Sequence, residues 1–290
     1  MYNRFLEYLK QPELEKTISK GGIRVRQKLN PMVKAFAPFM SKYKMKVIER
    51  KNVATDRPVI FSATHGFRDD ILFTVRAIKA HGYVLFGNLH QFFHSYEGIA
   101  IWLNGVVLVD RIDKESRRAS REKMKCVLRS GGNLIVYPEG TWNKSENLLI
   151  LQLFGGIYDI EKETGAVVVP VATHLEGKYV FVSVGEALDI AVYKKTEGLA
   201  VLRDEMATLK WELMERYSYV TRDELLKGKT PEEYWHDYIE HLISEVDFYD
   251  REVEDNAHFR SKEQKEYEAV CAHLEKVEPR RENAFLWRRG

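Results

Sequence analysis

Short apolar runs separated by polar loops dominate the first two thirds of the chain. They are rich in β-branched and aromatic residues and are bounded by turn-forming residues, which is typical of buried strands. The predicted strands cover residues 45–49, 59–61, 83–86, 106–109, 134–137, 167–172 and 179–184. Pro138 and Gly140 follow the fifth run and predict a tight turn after it.

Apolar residues at helical spacing predict helices between and after these strands. The predicted helices cover residues 4–20, 69–79, 117–129, 197–217, 231–247 and 261–276. Gly21 and Gly22 are expected to end the first helix, and Pro31 and Pro38 to begin or break helices. Two capping boxes, at residues 221–224 and 230–233, indicate helix starts on either side of Gly228.

Composition indicates a soluble globular protein, with 44% hydrophobic and 30% charged residues among 290. The two cysteines, Cys126 and Cys271, form no disulfide framework or metal-ligand cluster, which favours a reducing cytosol. We find no apolar leader and no run of about 18 apolar residues, so we expect a cytoplasmic protein without a transmembrane span.

Charge is divided unevenly along the chain. Residues 1–51 contain 13 Lys and Arg against 4 Asp and Glu, a net charge of +9, whereas the remainder contains 32 against 39, a net charge of −7. Within residues 23–46, basic residues alternate with bulky apolar ones such as Phe36 and Phe39. This pattern fits an element that lies on anionic lipid, and equally a helix packed on the protein with its lysines in water. Nucleic-acid binding is a weaker alternative, and we expect none.

Candidate chemistry begins after the second strand. His65 follows this strand in a polar turn, and Asp69 and Asp70 precede an apolar helix. On one helix, His65 and Asp70 would point about 140° apart, so they meet only if His65 lies in the turn and Asp70 in the first helical turn. A carboxylate on one ring nitrogen would leave the other nitrogen as a base. The alternative is a histidine in a polar turn beside two acids at a helix start.

Two further stretches place polar residues at predicted strand ends. The strand 106–109 delivers Arg111, which could bind a phosphate or pair with Asp110 or Asp113. The strand at 134–137 leads into Pro138, Glu139, Gly140 and Thr141. The basic residues of the helix at 117–129 are either a solvated face or a site for the phosphates of a substrate.

These stretches, in this order, resemble the glycerolipid acyltransferase family, which includes the 1-acylglycerol-3-phosphate acyltransferases. The family pattern is His-x4-Asp, then an apolar strand leading to Arg, then aromatic-Pro-Glu-Gly-Thr, then an apolar strand with a proline. Here these elements are His65 with Asp70, Arg111, residues 137–141 and Pro170. The resemblance covers about residues 45–190.

The resemblance implies an α/β fold, a mixed β-sheet flanked by helices. It predicts a catalytic domain at 45–190 between basic amphipathic N-terminal helices (1–44) and a helical C-terminal region packed on that domain (191–290). The implied reaction moves a fatty acyl group from acyl-CoA or acyl carrier protein to the hydroxyl of a lysophospholipid, 1-acylglycerol-3-phosphate above all. No metal or bound cofactor is implied, because the acyl donor is a substrate. The enzyme would work peripherally on the inner face of a membrane.

The resemblance implies catalytic roles for His65 and Asp70. His65 would take the proton of the attacking hydroxyl, and Asp70 would orient His65. Substrate binding is implied for Arg111, Glu139, Gly140 and Thr141. The family's usual Arg after Thr141 is replaced by Trp142, so either Lys144 takes its place or the acceptor head group differs. Thr64 stands where Asn is common in the family.

Two other classes of function fit the same residues. A thioester hydrolase would use the His65–Asp70 pair on water and would release thiol without an acceptor. A non-catalytic membrane- or anion-binding module would rely on the basic N-terminal segment and show no turnover. The sequence contains no Gly-x-Ser-x-Gly nucleophile elbow, which agrees with direct attack by an acceptor hydroxyl.

Overall fold

The predicted strands assemble into a seven-stranded sheet. A computed structural model describes residues 18–51, 53, 55–94, 96–143, 148–217, 224 and 226–244. The strands are β1 (Lys44–Arg50), β2 (Val59–Ala63), β3 (Tyr83–Phe86), β4 (Val106–Leu108), β5 (Leu134–Val136), β6 (Val167–Glu176) and β7 (Tyr179–Val184). Their order in the sheet is β1-β7-β6-β2-β5-β3-β4, and all neighbours are parallel except β6 and β7. The expected mixed sheet is therefore confirmed.

Helices cover both faces of this sheet. They are α1 (Lys20–Phe36), α2 (Asp70–Ala77), α3 (Leu89–His94), α4 (Tyr96–Asn104), α5 (Lys114–Arg129), α6 (Gly156–Thr164), α7 (Lys195–Tyr217) and α8 (Pro231–Ser244), with 3₁₀ turns at Ala37–Met40 and Ile190–Val192. The predicted helices at 69–79, 117–129 and 197–217 are confirmed. In the part of the chain that the structure describes, no helix is both long and apolar enough to cross a membrane.

Two apolar layers hold the sheet and helices together. On one face, Ile60 and Val168 pack with Val127 of α5 and Met206 of α7. On the other face, Phe61 and its neighbours pack with Phe73 and Val75 of α2. Successive residues of a strand point to opposite faces, so Ile60 and Phe61 serve different layers. The sheet is consequently buried on both sides, as parallel strands require.

The proline within β6 lies next to the end of the ladder that this strand forms with β7. Pro170 pairs with Ser62 of β2 on one side. Its carbonyl accepts a hydrogen bond from Gly185 N–H on the other side, and the ladder with β7 begins only at Val171. Because the nitrogen and carbonyl of a strand residue face the same side, the missing N–H of Pro170 lies just beyond the end of the β7 ladder.

The N-terminal region departs from the prediction. Gly21 and Gly22 do not end a helix but lie in the first turn of α1, whose N-cap is Ser19, with Oγ accepting from Gly22 N–H at 3.0 Å. The two glycines have ordinary helical backbone, so the predicted helix end was wrong. Pro31 lies inside α1 and does not break it, because a proline removes a single main-chain bond and its ring here is exposed. Most of the predicted helix at 4–20 falls outside the described residues.

The C-terminal region is described only in part. The second capping box is confirmed, since Thr230 N–H donates to Glu233 at 2.8 Å and Glu233 N–H donates to Thr230 Oγ1 at 3.2 Å. Helix α8 follows with Pro231 in its first position. The first capping box is largely outside the described residues, as is the predicted helix at 261–276.

Candidate active site

The carboxyl ends of three parallel strands bring the candidate residues together. Strands β2, β4 and β5 run in the same direction, so the loops that follow them meet at one edge of the sheet. These loops contain His65, Arg111 and Gly140 respectively. In open α/β sheets, ligands bind outside this edge.

His65 and Asp70 form a hydrogen-bonded pair. His65 lies in the turn after β2, and Asp70 is the first residue of α2. The distance from His65 Nδ1 to Asp70 Oδ2 is 2.9 Å. The same oxygen accepts from the backbone N–H groups of Gly66 at 2.9 Å and Phe67 at 3.3 Å. Asp70 is fully buried, and these donors hold its Oδ2 in place. The N-terminus of α2 adds a favourable electrostatic effect on the carboxylate.

This pairing determines which ring nitrogen of His65 is available. With Nδ1–H donating to the carboxylate, Nε2 carries the lone pair. The imidazole also contacts two aromatic rings, with 4.7 Å between its centroid and that of Tyr137 and 6.0 Å to Trp142. The His65 side chain is 16% exposed and lines the cavity described below. The arrangement presents a confined base to any ligand in the cavity.

Glu139 holds the backbone around His65. Its Oε1 accepts from His65 N–H at 3.0 Å, and its Oε2 accepts from Leu151 N–H at 2.8 Å. The carbonyl of His65 accepts from Asn143 N–H at 2.7 Å. Glu139 is 2% exposed, and this burial raises its pKa to about 7, although the two N–H donors and nearby positive charges act in the opposite direction. Glu139 thus lies beneath the cavity wall and joins three loops.

Arg111 joins the loop after β4 to the turn after β5. Its Nη1 donates to the carbonyl of Gly140 at 2.6 Å. Gly140 has φ = 70°, a conformation that glycine adopts without strain. The Arg111 side chain lies against Gly87, where a Cβ would come within 2.8 Å of Arg111 Cδ, so a larger residue at Gly87 would displace the guanidinium. Arg111 lines the same cavity as His65.

The cavity has a volume of about 1310 Å³ and two chemically different walls. One wall is apolar and comes from α1, the 3₁₀ turn after it, α2 and α4, with the residues Val33, Ala37, Met40, Ile71, Leu72, Val75, Ala100 and Ile101. The other is basic and comes from the strand ends, α5 and α7, with the residues Arg111, Arg117, Arg121, Lys195 and Arg203. Lys195 is paired there with Asp159 at 2.7 Å. The cavity can hold a long apolar chain beside an anionic group.

The structure brings most of the predicted site residues to this edge. His65, Asp70, Arg111, Glu139 and Gly140 form the contacts given above. Thr141 is half-buried at the end of the same turn, and Lys144 lies outside the described residues.

Sequence reasoning missed two groups that contact His65 and one lysine on a more distant helix. It did not single out the ring contact of Tyr137, the backbone bond from Asn143, or Lys210 of α7, whose ammonium group donates to the carbonyl of Thr173 on β6. The aromatic position before Pro138 was the available signal for Tyr137. Lys210 carries no local signal, because it lies far along the chain from the motifs.

Comparison with known proteins is consistent with this geometry. Residues 44–174 match the family model described as Acyltransferase. A 1-acyl-sn-glycerol-3-phosphate acyltransferase of Chlamydomonas reinhardtii is 26% identical over 136 residues, which is 47% of this chain. The chain covers 39% of the length of that relative.

A solved structure shares the fold. The crystal structure of the 1-acyl-sn-glycerophosphate (LPA) acyltransferase PlsC from Thermotoga maritima superimposes with a TM-score of 0.53 and 20% identity. The match covers 68% of this chain and 83% of that one.

Proposed function

Residues 44–174 belong to the glycerolipid acyltransferase family, and we propose that this protein transfers a fatty acyl group from a thioester to the hydroxyl of a lysophospholipid. The observation that carries the proposal is the His65–Asp70 pair at 2.9 Å, with Nε2 of His65 available at a cavity that has an apolar and a basic wall. Acyl transfer to a hydroxyl requires a base, the acyl chain requires an apolar surface, and a phosphate-bearing acceptor requires positive charge. This cavity combines the three.

The proposed chemistry is a direct transfer. His65 Nε2 takes the proton of the acceptor hydroxyl while the oxygen attacks the thioester carbonyl carbon. The tetrahedral intermediate then collapses, the carbon–sulfur bond breaks, and the thiolate takes the proton from Nε2. Asp70 stabilises the transient imidazolium through Nδ1 and keeps the ring in one tautomer. The products are the acylated lipid and a free thiol.

The proposed acceptor is 1-acylglycerol-3-phosphate. Arg111 supports this choice because an arginine on the cavity wall can bind a phosphate with two N–H groups. We assign to Gly140 and Thr141 the shaping of the phosphate side, and to Glu139 the support of the turn that carries them. Trp142 is buried against His65 where the family usually has Arg, so the head-group contacts on that side would differ from those of its relatives.

The proposed donor is acyl-CoA or acyl carrier protein. Either donor carries phosphate, which the basic wall with Arg117, Arg121 and Arg203 would attract. The apolar wall would receive the acyl chains of donor and acceptor.

We place the enzyme peripherally on the inner face of a membrane. Helix α1 and the 3₁₀ turn that follows it support this because they are packed on one side and exposed on the other. Ile23 and Ala37 are buried, whereas Phe36 and Phe39 are 62% and 85% exposed. Helix α4 packs against α1 and adds two exposed apolar residues, Ile99 at 63% and Trp102 at 55% exposure. An apolar surface of this kind beside basic residues suits an anionic lipid surface.

Thiol release from a long-chain acyl-CoA tests the proposal. We would measure it with lysophosphatidic acid, with a lysophospholipid of neutral head group, and without acceptor, each beside His65→Ala. Release that requires lysophosphatidic acid and is lost in His65→Ala is expected. Equal release without acceptor would contradict transfer and indicate a hydrolase. If acyl-CoA is inert, the same series with acyl carrier protein decides between that donor and a non-catalytic binding role.

A further inference from the structure

The N-terminal arm, which we define as residues 20–41, is bonded to α2 near both ends of that helix. Ser41 Oγ donates to Oδ2 of Asp69 at 2.5 Å, directly before the start of α2. Lys34 Nζ donates to the carbonyl of Ile78 at 2.6 Å, directly after the end of α2. The arm and α2 therefore run in opposite directions and are joined at two points.

Asp69 departs from the usual role of an aspartate at its position. It is the N-cap of α2, where an aspartate normally accepts from the backbone N–H groups of the first helical turn. Its side chain makes no such capping bond within that turn, all of which the structure describes. Its carboxylate accepts from Ser41, whose Oγ in turn accepts from Tyr43 N–H at 3.2 Å. A side chain that gives up its local bond for one to another element indicates a constraint beyond the helix itself.

The two bonds enclose the apolar wall of the cavity. Several residues that lie between them, on the arm and on α2, line the cavity: Ala37, Met40, Ile71, Leu72 and Val75. The same stretch of the arm carries Phe36 and Phe39, which are 62% and 85% exposed. The arm thus connects the surface assigned to lipid with the cavity and with α2.

A displacement of α2 acts directly on the His65–Asp70 pair. Asp70 is the first residue of α2 and follows Asp69, which is bonded to the arm. Its Oδ2 is 2.9 Å from His65 Nδ1 and accepts from Gly66 N–H at 2.9 Å and Phe67 N–H at 3.3 Å. A shift of α2 by about 1 Å, a common size for helix shifts in switching proteins, would stretch these contacts beyond hydrogen-bonding distance.

We infer that Ser41 and Lys34 are positioning residues through which lipid contact of the N-terminal arm holds α2 and Asp70 in place for the proposed acyl transfer. The inference rests on the proposed function, and in particular on the assignment of the arm to the lipid surface. When Phe36 and Phe39 enter the lipid interface, the bilayer restrains the arm, and its two bonds restrain α2. Because an element that is already restrained loses less entropy in the reaction, the enzyme is more active on a lipid surface than away from it.

Four variants separate this coupling from packing and from charge. Ser41→Ala removes the donor to Asp69, whereas Ser41→Thr keeps a hydroxyl. Lys34→Met removes the bond to the end of α2, and Lys28→Met removes the same charge from an exposed position on the same helix. Ser41→Ala is also combined with Lys34→Met.

Activity is measured with substrates that do not need a membrane. These are a short-chain acyl-CoA, or the equivalent acyl carrier protein, and a short-chain lysophosphatidic acid that stays monomeric. For each protein, kcat and KM are determined with and without vesicles of phosphatidylcholine and an anionic phospholipid. Co-sedimentation gives the fraction of protein bound, so that activities are compared at equal binding. Hydrogen exchange is followed in peptides that contain the amides of Gly66 and Phe67.

Vesicles should raise kcat of the wild-type protein at least about fivefold, the lower end of ordinary coupling between two sites. They should also slow exchange of the Gly66 and Phe67 amides, because both donate to Asp70. Each single loss, Ser41→Ala or Lys34→Met, should reduce both effects, and the double variant should lose them at the same bound fraction. Ser41→Thr and Lys28→Met should respond to vesicles as the wild-type protein does.

A folded double variant that responds to vesicles like the wild-type protein would overturn the inference. If the double variant does not fold, the two single variants are judged by the same criterion. If the wild-type protein transfers no acyl group, the proposed function fails, while exchange of the two amides with vesicles still tests the coupling. If it transfers the monomeric substrates but does not bind vesicles, or binds them without stimulation, acyl transfer stands and the inference is overturned.

Discussion

The backbone N–H of His65 donates to Oε1 of Glu139 at 3.0 Å, so two motifs separated by more than seventy residues meet through a buried carboxylate. The second oxygen of Glu139 holds Leu151 N–H at 2.8 Å. The proposed base is therefore positioned through its main chain as well as through its ring.

Burial of Glu139 makes stability depend on pH. Its pKa rises from 4.5 to about 7, mainly through loss of solvation. Below pH 4.5 the carboxyl is protonated in the folded and unfolded protein alike. Between pH 4.5 and 7 the unfolded chain ionises first, so the free energy of unfolding should fall by about 3 kcal/mol over this window. Urea denaturation of wild type and Glu139→Gln across this range measures the difference. Parallel curves for the two proteins would contradict the expectation.

Asp70→Asn tests the orienting carboxylate. An amide at this position can stabilise the wrong tautomer of His65, so kcat should fall by about 10³- to 10⁴-fold while the protein stays folded. The adjacent Asp69 is a matched control, because its carboxylate bonds to Ser41 Oγ at 2.5 Å. Asp69→Asn should lose far less activity in the thiol-release assay. Similar losses in both variants would refute a specific role for Asp70.

Arg111→Met tests the phosphate contact. The substitution removes a charged group from the cavity wall and the bond to Gly140 O. Loss of one charge-assisted contact, about 1.5–3 kcal/mol, should raise KM for lysophosphatidic acid by roughly 10- to 100-fold. KM for a neutral-head-group acceptor should change less. Arg118→Met, an exposed charge loss on α5, is the control. An equal rise in KM for both acceptors would argue against phosphate binding by Arg111.

Trp142→Arg tests the head-group side of the site. The substitution introduces the Arg of the family pattern at this position and adds a donor for phosphate. The activity ratio of lysophosphatidic acid to a neutral-head-group lysolipid should increase about tenfold, the effect of one such bond. Trp142→Phe keeps an aromatic ring against His65 and should leave the ratio unchanged. Competition between the two acceptors measures this ratio directly, and an unchanged ratio in folded Trp142→Arg would exclude Trp142 as a determinant of head-group choice.

Phe36→Ser with Phe39→Ser tests the membrane surface. Each exposed ring should contribute about 1–2 kcal/mol when it enters the lipid interface, so vesicle binding should weaken at least about tenfold. Co-sedimentation with vesicles of phosphatidylcholine and an anionic phospholipid provides the measurement. Val192→Ser with Trp211→Ser removes exposed apolar residues, 71% and 54% exposed, from other elements and should not reduce binding. Equal binding by all three proteins would place the lipid contact elsewhere.

Local patterns predicted much of the fold and part of the site. The strands were recognisable because short β-branched runs bury both faces in a parallel sheet. The contact of His65 with Asp70 was also predictable, since five residues and a strand-to-helix turn leave few other geometries. The start of helix α1 was not predictable, because Gly21 and Gly22 suggested a helix end. They are compatible with the first turn of a helix here, since Ser19 caps it and Ile23 is buried.

The sequence by itself determined the strands, the turn that carries His65 and Asp70, and the order of the motifs, because these depend on neighbours in the chain. Only the tertiary structure decided that Tyr137 and Trp142 contact the imidazole, that α1 and α7 both line the cavity, and that Glu139 binds the main chain of both His65 and Leu151. Such contacts join residues far apart in the chain. They are selected by the shape and charge of the packed interior, which no local pattern encodes.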